Sequence, residues 1–241
     1  MSQPEFKLKD NIATIKLCAE ERKNALTLKD LALISGFLSE IKNEKLKCLI
    51  FSGEGNIFSA GMYFEELKKG SWKENPISKV CDLIEMLPFI SICFLNGGVY
   101  GGSVELALSC DFRIGSRSTK LKIPAANFGI HYGVKGIERC LETFGLTLAK
   151  KILFLGHILE YEDLIDIGFL DYYADDFDTS HKILRNIVDG ISEVSLEAIG
   201  NMKATINDLR RGRIDGVIEE TRFSSGFKTG TIAKQLKLYK K

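Results

Sequence analysis

The stretch "NGGVYGGSVELALSCDF", residues 96–112, decides how this chain reads. Two glycine pairs, Gly97–Gly98 and Gly101–Gly102, lead into an almost wholly apolar run, and one carboxylate, Glu105, stands where that run begins. A charged side chain at the edge of a buried helix is costly unless it is paired, protonated or at work. The neighbouring glycines suggest that something approaches the backbone closely at the same place. Ser103 reads as the start of a helix, which leaves the Gly102 N–H free to donate. The plain reading of Glu105 is a carboxylate near the positive end of a helix dipole, worth ~0.3–1 kcal/mol. That explains its charge but not its place one turn after the glycine pair. Between Val104 and Leu106, desolvation raises its pKa while the helix end lowers it, which could leave a base that works near neutrality.

The segment "FSAGM" (58–62) has the same design at the end of another strand. Taken alone it is a tight strand-to-helix connection. Its functional reading is that the Met62 N–H, at an incipient helix N-terminus, points at an anion or a carbonyl. Two such N–H groups converging on one carbonyl oxygen form an oxyanion hole, often the largest electrostatic contribution in acyl or enolate chemistry. Other chemistries find no support. His131, His157 and His181 are the three histidines, no GxSxG elbow precedes one, and neither GxGxxG nor GxxxxGK[ST] occurs. His131, in "GIHYGVKG", either lines a pocket or is structural.

Working outward, "NIATIKL" (11–17) alternates like a half-buried strand, and "TLKDLALISGFLSEI" switches to helical period behind a Thr27/Asp30 cap. "CLIFSG" (48–53) and "ISICFLNG" (90–97) are continuous apolar runs of the kind a parallel sheet buries on both faces. "DFRIGS" (111–116) and "KLKIP" (120–124) read as further strands. From about residue 134 the chain reads as helices broken by Gly145, Gly156 and Gly168. A β/α half thus precedes a helical half with no low-complexity linker. Strand–helix alternation with apolar strands argues for a parallel, crossover-connected sheet.

The 241 residues carry 33 basic and 32 acidic side chains, so no net field points to nucleic acid or an anionic membrane. The basic residues thicken at Lys234, Lys237, Lys240 and Lys241, most simply a solvated tail. The six cysteines are scattered without a CxxC pair and read as small buried thiols in a reducing compartment. No apolar leader core or run of ~18 apolar residues occurs, and a cytoplasmic protein without a membrane span is expected.

The residues then become recognisable. "IFSAGMYFEEL" resembles the FxAGADxxE segment of the crotonase (enoyl-CoA hydratase/isomerase) superfamily, and "ISICFLNGGVYGGSVELALSCDFRIGS" resembles its PxIAAVNGxAxGGGxELALxCDxRIA segment. "KLKIPAANFGIHYGVKG" and "AKKILFLGHILEYEDLIDIGFLDYY" follow the family's next segments in order, so the match runs from about residue 11 to 173. The resemblance implies the α/β crotonase (ClpP/crotonase-like) fold: repeated ββα units forming a spiral core over residues 1–185, then a helical region, 186–241, serving trimerisation and active-site cover. It places an oxyanion hole for an acyl-CoA thioester at the Met62 and Gly102 N–H groups and makes Glu105 the first of the hydratases' two catalytic glutamates. It lays the loop "ERKNAL" (21–26) against CoA, with Arg22, Lys23, Ala25 and Leu26 in contact. Ala60, Gly61, Phe64, Gly101, Pro124, Ala125, His131 and Gly133 join them around the substrate. A homotrimer or dimer of trimers is implied, with no metal and no cofactor beyond the CoA of the substrate.

The second glutamate does not carry over: where the hydratases have Pro-Glu this chain has Pro124-Ala125, and the aspartate of FxAGAD is Tyr63. Losing a positioned acid–base group typically costs ~10²–10⁴-fold. The reading is therefore an enoyl-CoA hydratase/isomerase-type enzyme, with Glu105 as its evident acid/base. The alternatives are a decarboxylase of the same fold or a non-catalytic acyl-CoA-binding paralogue. The Gly133 N–H is expected within reach of a water, and Phe64, Leu67, Trp72, Ile84 and Met86 are either acyl-pocket or core residues.

Overall fold

The computed structural model describes residues 2–68, 72 and 75–238; Lys240, Lys241 and the Lys234 side chain lie outside that description. Strands β1 (Glu5–Lys9) and β2 (Ile12–Leu17) form an antiparallel hairpin turned by Asp10 and Asn11, both at positive φ. That is the twist a two-residue hairpin loop requires, and Asp and Asn tolerate it. Helix α1 (Leu28–Ile41) starts on the expected capping box, Thr27 Oγ1 accepting from Asp30 N while the Asp30 carboxylate accepts from Thr27 N.

Three consecutive ββα units follow. The first is β3 (Cys48–Gly53) and β4 (Ile57–Ser59), then α2 (Phe64–Lys68) and α3 (Pro76–Glu85). The second is β5 (Ile90–Phe94), β6 (Gly98–Tyr100) and α4 (Gly102–Ser109). The third is β7 (Phe112–Ser116), β8 (Leu121–Lys122) and α5 (Val134–Leu155). The chain ends in α6 (Tyr161–Asp166), β9 (Tyr172–Ala174), α7 (Phe177–Ile191), α8 (Leu196–Arg210), α9 (Gly216–Lys228) and α10 (Thr231–Leu238). In each unit the first strand enters a six-stranded sheet ordered β1-β2-β3-β5-β7-β9, and the second enters a three-stranded parallel sheet ordered β4-β6-β8. This is the crotonase fold.

Alternation along the central strands explains their continuous apolar character. Leu49, Phe51 and Cys93 face the main core with Ile34, Val80 and Leu106 of α1, α3 and α4. Cys48, Ile92, Phe94 and Ile114 face the other way, onto Leu184, Val188 and Ile191 of α7. The division expected at 185/186 falls inside α7, whose apolar face covers the sheet. Gly145, at φ +66°, kinks α5 where a helix break was read.

Four strands lie where the residues marked none: β4 and β6, the short strands that lead into the two glycine turns, and also β1 and β9. β1 ("EFKLK") carries four exposed residues of five and hangs on the sheet edge, and β9 is three residues long inside the helical half. All six cysteines are free, and burial pushes the Cys48 and Cys140 thiols up to about 12, so they are inert packing groups. Among the described residues no helix is long and apolar enough to cross a membrane.

Candidate active site

The three strands of the small sheet each end in a turn, and because the strands are neighbours the turns are too. β4 leads into Ala60–Met62, β6 into Gly101–Gly102 and β8 into Pro124–Ala125. Gly101 N donates to Lys122 O at 2.9 Å, tying the second turn to the third strand. Ser103 Oγ lies 2.8 Å from Ser59 O, fastening the second turn to the first. Ser59 Oγ in turn accepts from Gly61 N (3.1 Å) and donates to Asn24 O (2.8 Å).

Glycine is needed where the turns touch. Gly61 has φ +85°, and a Cβ there would lie 2.7 Å from both Gly102 N and Tyr100 O. The Leu26 strand-like bridge uses Gly61 O (2.7 Å from Leu26 N) and Tyr63 N (2.8 Å from Leu26 O). The intervening Met62 N–H therefore points away from that bridge. Neither Met62 N–H nor Gly102 N–H donates to any other group among the described residues. Two uncommitted backbone donors thus stand on adjacent turns.

They open onto a cavity of about 1250 Å³. Its walls take Ala60 and Met62 from the first turn, Gly101 and Gly102 from the second, and Pro124 and Ala125 from the third. Arg22, Lys23 and Ala25 come from the loop before α1, and Phe64, His131 and Gly133 complete the positions expected from the sequence. Arg22 is a structural lining residue, since its guanidinium holds Asp30 at 2.8 Å and Ala25 O at 2.8 Å. Phe64 and Phe128 meet edge to face, centroids 5.9 Å apart, and with Leu67 and Trp72 make the apolar part of the wall.

Three of the expected site residues stand elsewhere than on the cavity wall. Leu26 is core, 1% exposed, and acts by bracing the first glycine turn. Gly61 is buried beneath that turn, and its role is to let the two turns meet. Glu105 does not form the cavity wall: it is fully buried one layer behind it. Among the tail-pocket candidates, Ile84 is core and Met86 is 67% exposed outside the cavity. The Gly133 N–H is also committed, donating to His131 Nδ1 at 3.1 Å.

Glu105 sits in a built cage. Ser78 Oγ donates to Oε1 at 2.7 Å, Asn75 Nδ2 to Oε2 at 3.2 Å, and Arg139 Nη1 to Oε1 at 2.7 Å. The N-terminus of α3 aims two of these groups. Asn75 caps it through Oδ1, Pro76 follows at the first helical position, and Ser78 lies in the first turn. Gly136 leaves the room: a Cβ there would meet the Tyr132 ring at 2.8 Å and Glu105 Oε2 at 2.9 Å. Burial pushes the Glu105 carboxyl above its ordinary pKa, while the Ser78 hydrogen bond and the Arg139 charge pull it back.

Arg139, 4% exposed, holds three carboxylates. Besides Glu105 it donates to Glu85 through Nε (2.9 Å) and Nη2 (3.0 Å), and to Asp82 through Nη2 (2.9 Å). Burial alone would raise Glu85, but the Arg139 bonds and charge, with Arg210 and Arg211, hold it below the usual carboxylate range. Asp82 is held low in the same way by Lys135 and Arg139 against its burial. Helix α8 docks on this cluster, Asn207 Nδ2 donating to Glu85 O at 2.7 Å and Arg211 reaching Glu85 at 3.1 Å.

The sequence reading missed Asn75, Ser78 and Arg139. A signal existed for Arg139: it shares the buried face of α5 with Gly136, Cys140 and Phe144, at helical spacing. A cation on an apolar stripe calls for buried acidic partners.

The fold is α/β, with two uncommitted amide donors on neighbouring turns of its cavity wall. Residues 7–237 match the family model described as Enoyl-CoA hydratase/isomerase, and the chain belongs to that family. A short-chain-enoyl-CoA hydratase of Clostridium acetobutylicum is 27% identical over 187 residues, 73% of this chain and 72% of that protein. The mitochondrial methylglutaconyl-CoA hydratase of Mus musculus is 28% identical over 174 residues, 69% of this chain and just over half (55%) of that protein. A crystal structure of an enoyl-CoA hydratase/carnithine racemase from Magnetospirillum magneticum superposes with TM-score 0.90 at 21% identity. The superposition covers 100% of this chain and 93% of that one.

Proposed function

We propose that this chain processes acyl-CoA thioesters through an enolate, with Met62 and Gly102 N–H holding the thioester oxygen and Glu105 as acid/base. The observation that carries the reading is the pair of uncommitted donors on the cavity wall, with one buried carboxylate caged directly behind it. A proton leaves the α-carbon, the C–H electron pair moves into the thioester, and negative charge develops on an oxygen that already faces two dipoles. Returning the proton at the γ-carbon shifts a double bond from the 3- to the 2-position. This needs one group that takes and gives a proton, which is what the site holds. Lys23, exposed on the cavity wall, meets the CoA phosphates in this reading. No cofactor beyond the substrate's own CoA is required.

Hydration asks for more, because a second carboxylate must help hold the water, and its place is taken by Ala125. Isomerisation is therefore expected to outrun hydration. Ala125→Glu puts a carboxylate on the third turn, facing the cavity. Assayed on a 2-enoyl-CoA, this variant should gain hydratase activity by tenfold or more over the parent. No gain, with the variant folded and binding the ester, would mean that the pocket is shaped against the water.

The assembly in multiples of three that the resemblance implies remains part of this proposal. Its support is apolar surface: Phe154 and Leu155 on α5 are 67% and 75% exposed, and Phe223 and Phe227 on α9 are 80% and 67% exposed. Sedimentation should give a trimer or hexamer; a monomer at micromolar concentration would remove this part.

A further inference from the structure

We infer that Ser78 is a catalytic residue: its hydroxyl is the proton conduit between the cavity and Glu105. The inference rests on the enolate reading above and deepens it. Glu105 is fully buried and does not form the cavity wall, whereas Ser78, 9% exposed, does. The two are joined by a 2.7 Å hydrogen bond from Ser78 Oγ to Glu105 Oε1. A carboxylate behind a wall can exchange protons with a substrate only through a group that can accept one proton as it releases another.

The neighbours narrow the route to one. Asn75 also lines the cavity and touches Glu105, but it faces Glu105 through its NH2, which has no lone pair to take a proton, and its Oδ1 is committed to Ile77 N. The hydroxyl of Tyr132 is committed to Gly101 O at 2.9 Å. Arg139 lies on the far side, among Asp82 and Glu85, and stays charged. Ser78 alone among these carries both a lone pair for the incoming proton and a proton already aimed at Glu105.

The step balances. The α-proton of the bound thioester passes to Ser78 Oγ as the Ser78 proton passes to Glu105 Oε1, and the C–H pair becomes the enolate. In reverse, Glu105 returns its proton to Ser78 Oγ, and Ser78 delivers its own to the γ-carbon. Neither the serine alkoxide nor an oxonium needs to accumulate, because both transfers share one hydroxyl. Arg139 and Asn75 hold the negative charge of Glu105 in place while it waits.

The test compares the full-length wild type with Ser78→Ala, Ser78→Thr, Glu105→Gln and the Ser78→Ala/Glu105→Gln pair, using a 3-enoyl-CoA and measuring ester affinity in parallel. Ser78→Ala is expected to lower kcat by ~10²–10⁴-fold with KM changed less than threefold. Ser78→Thr, which keeps a hydroxyl, should recover most of that loss, and the double variant should be no slower than Glu105→Gln. Ser78→Ala within fivefold of wild type, while Glu105→Gln is crippled, would overturn the inference. So would two losses that multiply, since independent groups do not share a path. A wild type that binds the esters yet turns none over would instead sink the enolate reading itself.

Discussion

Arg139→Leu is expected to destabilise the fold by about 3–5 kcal/mol, the usual cost of leaving buried carboxylates without their cation. Three acids face that one guanidinium, and two of them, Glu85 and Glu105, are almost wholly buried. Arg210 and Arg211 reach Glu85, but no other cation reaches Glu105 among the described residues. Urea unfolding at pH 7 measures the loss, and a change below about 1 kcal/mol would show that water or neighbours replace the arginine.

The pH dependence adds a sign to this prediction. Asp82 and Glu85 are depressed in the fold, so their contribution is present above the ordinary carboxylate pKa of ~4 and is lost as pH falls through the depressed values. Glu105 is raised, so its ionised form costs stability at neutral pH and relief comes on acidification. Without Arg139 all three carboxyls rise and become easier to protonate. The stability gap between wild type and variant should therefore be widest near neutrality and narrow below about pH 4.

Glu105→Gln should lower kcat by ~10²–10⁴-fold while leaving the protein folded. Glutamine keeps the shape and the acceptor oxygen for Ser78 and Arg139, and it removes a buried charge. Activity is lost because an amide cannot take the proton, not because the cage collapses. The pH profile separates the two explanations. In wild type kcat should fall on the acid side with an apparent pKa above the ordinary carboxylate value, as burial raises Glu105. That limb should vanish in the residual activity of the variant. A variant that keeps both the rate and the limb would place the acid/base elsewhere.

The two glycine turns, the carboxylate one turn later and the apolar strands before them were all legible in residues 48–112, because backbone freedom and buried charge leave local marks. The resemblance then supplied the order of the ββα units and the expectation that Ala125 stands where the hydratases have their second glutamate. What stayed hidden was the depth of Glu105. A helical residue's neighbours across the fold come from other units, here the α3 N-terminus and α5, and no local pattern pairs Ser78 with Glu105 over 27 residues or Arg139 over 34. Leu26 shows the converse error: it sits in the right loop, but its side chain faces the core.

In the proposed reaction an enolate forms against Met62 and Gly102 with one carboxylate handling the proton. Its most direct test is the fate of a 3-enoyl-CoA supplied to wild-type protein, followed by the absorbance of the conjugated 2-enoyl product. Conversion to the 2-enoyl-CoA is expected to be faster than any hydration of it and to be abolished in Glu105→Gln. Binding of the ester with no conversion, or equal conversion by the glutamine variant, would contradict it.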